Sequence, residues 1–151
     1  MCPKRRPTSR SATRLHHRGA ATAALATRLR RELHDWAAFA GIPADTVDDL
    51  TLSSYEAMAN TVRHAYPAGT TGFLELHANL EREDVVVTVA DNGRWAPTPD
   101  ERDPVSDGSY DCHGLRLIHD LAAHSEVVRD ERGTTVLMTW PRRSTDVTLP
   151  P

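Results

Sequence analysis

The sequence predicts a two-layer α+β sandwich, a mostly antiparallel sheet covered by helices on one face. Three observations carry that reading. Hydrophobic spacing is helical over roughly residues 20–65 and changes to period two beyond Gly72. The period-two segments come in pairs joined by short charged turns, as in antiparallel hairpins. The order α, α, β, β, α, β, β keeps helices and strands in blocks instead of alternating them. At 151 residues, 39% hydrophobic and 26% charged, the chain can bury a core as one domain.

Residues 1–18 are rich in Arg, Ser and Thr and offer only Leu15 as a large aliphatic group. They are expected to be a disordered basic tail, with the folded domain over residues 19–142 and a C-terminal tail over 143–151. Leu25, Leu29, Leu33, Trp36 and Ala40 form one helical stripe, closed by Gly41 and Pro43. Asp45 can cap a second helix running to about residue 65, where Pro67 and Gly69 end it. One side of that helix carries Val47, Leu50, Ala57, Thr61 and Ala65; another carries Leu52, Tyr55, Ala59 and Val62. Ser53, Glu56, Asn60, Arg63 and His64 remain as a narrow polar facet, the place where a ligand would sit.

Leu74, Leu76, Ala78 and Leu80 then alternate with polar residues, and a charged turn leads into a strand over 85–90. Residues 91–113 have no periodicity and hold three prolines and two glycines, which fits a functional lid. A short helix is expected over 114–123, with Leu115, Ile118 and Leu121 inward. A second hairpin over 125–130 and 134–140 closes the domain.

Composition removes several activities. Lys4 is the single lysine, and no Gly-x-x-x-x-Gly-Lys-Ser/Thr occurs, so P-loop enzymes, eukaryotic-type protein kinases and lysine Schiff-base enzymes are excluded. Residues 1–31 hold nine cations and no acid, while residues 32–151 hold nine cations and 21 acids, a balance of −12. An acidic body is a poor partner for duplex DNA. No apolar run approaches a membrane span, and two cysteines, Cys2 and Cys112, fit a reducing cytoplasm better than a disulfide framework. The eight histidines show no spacing that argues for zinc, and no nucleophile elbow is present.

Four short signals stand in a fixed order: Glu56-x-x-x-Asn60, Asp91-Asn92-Gly93, a Gly114-led helix, and Gly133-Thr134-Thr135. Each alone is common. Together they describe a nucleotide site, and the run from Glu56 to Tyr66 resembles the N box of the GHKL ATPases. Within that superfamily it is most similar to the anti-sigma factor serine kinases and the stand-alone ATP-binding proteins of actinobacteria. Asp91-Asn92-Gly93-Arg94-Trp95 resembles the first glycine box, the Gly114 segment the second, and Gly133-Thr134-Thr135-Val136 the third.

The resemblance implies a Bergerat-type fold that binds ATP with Mg²⁺. It implies that Asp91 accepts a hydrogen bond from the adenine amino group and that Gly93 lets the backbone approach the base. Thr134 or Thr135 would touch adenine through a water, Asn60 would ligate Mg²⁺, and Arg63 and His64 would flank the nucleotide. The helix N-terminus at Gly114 and Leu115 would meet the phosphates. Glu56 would be the general base that deprotonates an attacking hydroxyl. The implied partners are a sigma factor and an anti-anti-sigma protein of STAS type, with a homodimer as in sigma-binding relatives. The sequence departs from the family at the second box, where Cys112-His113 precede Gly114 in place of Gly-x. Two readings follow: a serine kinase, or a nucleotide-binding regulatory module without phosphotransfer.

Overall fold

The structure, a computed structural model, describes residues 9–11, 13–64, 72–93 and 109–143. Among them the order is β1 (Ser9–Ser11), β2 (Arg14–Ala20), α1 (Ala23–Phe39), α2 (Ala44–His64), β3 (Phe73–Leu80), β4 (Asp84–Asp91), α3 (Ser109–Leu121), β5 (His124–Asp130) and β6 (Gly133–Pro141). The strands form one sheet in the order β1-β2-β3-β4-β6-β5, and every neighbouring pair is antiparallel. The α+β architecture expected from the sequence is the one observed. No described helix is long and apolar enough to cross a membrane.

The helices start and stop where their chemistry dictates. Thr22 caps α1 by accepting the Leu25 N–H at 3.1 Å. Gly41 follows the helix with φ +80°, a conformation that only glycine adopts freely. Leu29, Leu33 and Trp36 are buried along the expected stripe. In α2, Leu50, Ala57 and Met58 are fully buried, and so are Ser53 and Ser54. Leu52, expected on an apolar side, is instead exposed.

Alternation along the strands gives the sheet one dry face. Leu15, Leu74, Leu76, Ala78, Val85, Val87, Val89, Val136, Met138 and Trp140 pack beneath the helices in a single core. The indole N–H of Trp140 donates to the Leu121 carbonyl at 2.9 Å and ties the end of α3 to β6. The opposite face carries Glu75, His77, Val86, Thr88, Thr135 and Leu137, all half-buried.

Two expectations need correction. Residues 14–18, expected in the disordered tail, belong to the sheet: Arg14–Ala20 pairs along β3, from Arg14 with Asn79 to Ala20 with Phe73, while residues 1–8 and 12 lie outside the described residues. Leu15 is 1% exposed, so the ordered sheet begins ahead of residue 19. The third helix starts at Ser109, not Gly114, and Gly114 therefore lies inside it. The lid expected over 91–113 is described only at its ends, and the C-terminal tail only at Arg143; residues 94–108 and 144–151 lie outside the described residues.

Candidate functional site

Asp91 owes its position to strand register. Alternation in β4 puts Val85, Val87, Val89 and Asp91 on the helix-facing side, so a carboxylate ends a row of core valines. Asp91 is 6% exposed. Desolvating a carboxylate without partners is prohibitive, and Thr61, Gly93 and Thr134 are among the donors that meet this one. Thr61 Oγ1 lies 3.0 Å from Oδ2; the N–H groups of Gly93 and Thr134 reach Oδ1 at 3.1 and 3.4 Å. Thr61 Oγ1 is also 3.3 Å from the Ala57 carbonyl, but its one proton serves the shorter contact.

Gly133 makes this arrangement sterically feasible. Its φ is +142°, and a Cβ built on it would fall 1.9 Å from the Asp91 carbonyl oxygen and 2.7 Å from Asn92 Cα. No side chain fits there. The β4 and β6 ends close on each other only because position 133 has none.

Helix α2 supplies the second half. Asn60 is 2% exposed, and among the described residues its buried Nδ2 has no hydrogen-bond partner. Native interiors rarely leave such a group unpaired, and a bound ligand is one resolution. Glu56 stands one turn earlier and is half-buried, while Arg63 is exposed. Thr61, the residue after Asn60, joins this helix to Asp91.

The structure joins Thr61, Asp91, Gly93 and Thr134 by hydrogen bonds, and it carries Glu56 and Asn60 on α2, the helix of Thr61. It separates others. Thr134 is buried beside Asp91, whereas Thr135 alternates to the open face of the sheet. Leu115 packs its side chain against the core. Gly114 sits past the first turn of α3, so its amide is not among the free N–H groups of that helix start. The side chain of His64 lies outside the described residues. Sequence reasoning missed Thr61, read as part of an apolar side, and missed the steric role of Gly133. A groove of about 540 Å³ between α1 and α2, lined by Arg30, Arg31, His34, Asp48, Thr51 and Leu52, contains none of the expected site residues.

Residues 19–140 match the family model described as the histidine kinase-like ATPase domain. A serine-protein kinase, RsbW, of Bacillus cereus is 32% identical over 108 residues, and the chain spans 66% of that relative's length, with 66% of this chain aligned. The structure is similar to the RsbU and RsbW domains of Rv1364c from Mycobacterium tuberculosis, with a TM-score of 0.66 at 24% identity, covering 83% of this chain and 31% of that one. It is also similar to the blue-light activated histidine kinase of Erythrobacter litoralis, with a TM-score of 0.54 at 28% identity over 72% of this chain and 34% of that one. With the antiparallel sheet, the helices on one face and the buried Asp91 in place, this chain belongs to the histidine kinase-like ATPase domain family.

Proposed function

We propose that the chain binds Mg²⁺–ATP between α2 and the ends of β4 and β6 and acts as an anti-sigma serine kinase. It would bind a sigma factor and phosphorylate a serine hydroxyl of an anti-anti-sigma protein of STAS type. The observation that carries the reading is the buried Asp91 carboxylate, oriented by Thr61, Gly93 and Thr134, with Thr61 on the same helix as the buried Asn60 amide. The family match over residues 19–140 and the 32% identical serine-protein kinase support it.

An ionised carboxylate only accepts hydrogen bonds, so the group that meets Asp91 must donate. The amino group of adenine does; the corresponding carbonyl of guanine does not. Asn60 fits a hard cation and a phosphate together, since its amide oxygen can ligate Mg²⁺ while Nδ2 donates to a phosphate oxygen. When bound, the cation would neutralise charge on the phosphates. Glu56 would take the serine proton as the hydroxyl oxygen bonds the γ-phosphorus and the bond to ADP breaks. The products are ADP and phosphoserine.

A second reading, a nucleotide-dependent binding module, is favoured by one observation. Gly114 lies within α3, and Cys112-His113 stand where relatives carry Gly-x, which weakens the expected phosphate cradle. Incubating the full chain with labelled ATP and purified candidate STAS proteins separates the two. Label on serine supports the kinase; nucleotide binding without label on any candidate supports the module.

A further inference from the structure

On the sheet face opposite the helices, His16 of β2 stands directly across from His77 of β3, with Glu75 two residues before His77. Both Nε2 atoms converge on one carboxylate oxygen, Glu75 Oε1, at 2.8 Å from His16 and 2.9 Å from His77. The imidazole rings stack with centroids 4.0 Å apart and planes 12° apart. The three donor atoms lie within 4.8 Å of one another, and all three side chains are partly open to solvent. This cluster has no part in the Asp91 site, which lies on the other face of the sheet.

We propose that His16, Glu75 and His77 form a surface site for a divalent cation of the zinc class. Two imidazole nitrogens and one carboxylate are a donor set suited to Zn²⁺, Ni²⁺ or Cu²⁺ and poorly suited to Mg²⁺ or Ca²⁺. Three protein ligands leave a fourth position for water, and the solvent exposure of the cluster provides room for it. Tetrahedral Zn²⁺ with bonds near 2.0–2.1 Å needs ligand atoms roughly 3.3 Å apart, so each Nε2 must retreat from Oε1 by about 0.5 Å. The two rings must also splay out of their parallel stack. Partly exposed side chains at the centre of a paired register can do both by small side-chain rotations, without moving the strands.

The placement has an evident consequence. Glu75 and His77 belong to β3, while His16 belongs to β2, so a shared ion would clip β2 to β3. His17, the sequence neighbour of His16, is not a competing ligand there. It points to the other face, where Arg28 Nη2 lies 2.8 Å from its Nε2.

The test is titration of the full chain with Zn²⁺ in excess Mg²⁺, which occupies hard-ion sites and leaves imidazoles free. One equivalent is expected to bind, with affinity falling as the pH is lowered because protons compete for the nitrogens. His16→Gln and His77→Gln should each lower affinity at least about 100-fold, and Glu75→Gln about 10- to 100-fold. Substituting Co²⁺ should give the visible bands of a tetrahedral nitrogen–oxygen site, without thiolate charge transfer. In the unaltered chain, the imidazole proton resonances of His16 and His77 should move together on Zn²⁺ addition, a readout independent of how the variants fold. No binding, affinity unchanged in the two histidine variants, thiolate bands pointing to Cys2 or Cys112, or static His16 and His77 resonances would each overturn the proposal.

Discussion

Gly133 and Asp91 meet backbone to backbone: a Cβ on Gly133 would lie 1.9 Å from the Asp91 carbonyl oxygen. The hairpin turn that opens β6 is thus part of the site, because it holds the Thr134 N–H against the Asp91 carboxylate. Gly133→Ala should force the β4 and β6 ends apart. Positive-φ strain and the clash together are expected to cost about 3 kcal/mol or more. Urea unfolding should show a lower midpoint, and nucleotide affinity should fall with it. A variant as stable as the parent would contradict the close approach.

The segment before residue 19 should matter for stability. Leu15 is 1% exposed in the core, and deleting such a side chain costs about 2–5 kcal/mol. Leu15→Ala should therefore lower the melting temperature by many degrees. A chain beginning at Gly19 should lose at least as much, since β3 would also lose its partners from Glu75 to Asn79. Unchanged melting of either would restore the picture of a dispensable tail.

Acid should destabilise the fold in two steps. The His17 imidazole is held below its ordinary value, first by burial and then by the Arg28 charge, with Glu32 opposing. The unfolded chain therefore binds the His17 proton more readily, and stability is lost as pH falls from the ordinary imidazole range through the folded value. For Glu75, burial pushes upward, but the His16 and His77 hydrogen bonds and charges outweigh it, and the carboxyl ends below its ordinary value. Its contribution is present above the ordinary carboxylate range and lost as pH falls below it. Melting temperature against pH, with Zn²⁺ excluded by chelator, should show both. His17→Gln should flatten the upper step and Glu75→Gln the lower one. Variants that leave the profile unchanged would remove these two groups as its cause.

Glu56 and Asn60 should give different signatures although they are one turn apart. Glu56→Gln keeps shape but loses the proton acceptor, so phosphotransfer should drop about 10²–10⁴-fold with nucleotide affinity retained. Asn60→Ala removes the amide, so Mg²⁺–nucleotide affinity should fall as well as rate. Single-turnover phosphotransfer beside nucleotide titration reads both. Two silent variants would return both residues to an ordinary polar helix face.

Most of the fold was legible because its periodicities are strong. Leu29, Leu33 and Trp36 in α1 and the alternating Leu74–Ala78 and Val85–Val89 runs mark elements that the structure contains. Strand β2 was not legible, since its helix-facing positions are Leu15, His17 and Gly19, and only one of these is a large apolar residue. Its place comes from tertiary pairing with β3, which overrides a weak local signal. The start of α3 was hidden in a segment without hydrophobic repeat. Asp91, Asn60 and Glu56 could be singled out from spacing, but Thr61 could not, because only the fold turns its hydroxyl onto Asp91. The His16–Glu75–His77 cluster was equally invisible: His16 is 59 residues from Glu75 in the chain and meets Glu75 and His77 only through strand register.

Asp91 is the group proposed to read the base. Calorimetric titration with ATP, ADP and GTP, on the parent chain and on Asp91→Asn, measures this directly. The parent should bind the adenine nucleotides with Mg²⁺ and bind GTP far more weakly, because guanine leaves a buried acceptor facing an acceptor. Asp91→Asn should lose adenine nucleotide binding while its circular dichroism still reports a folded domain. Equal ATP affinity in parent and variant, or equal affinity of the parent for ATP and GTP, would contradict the account.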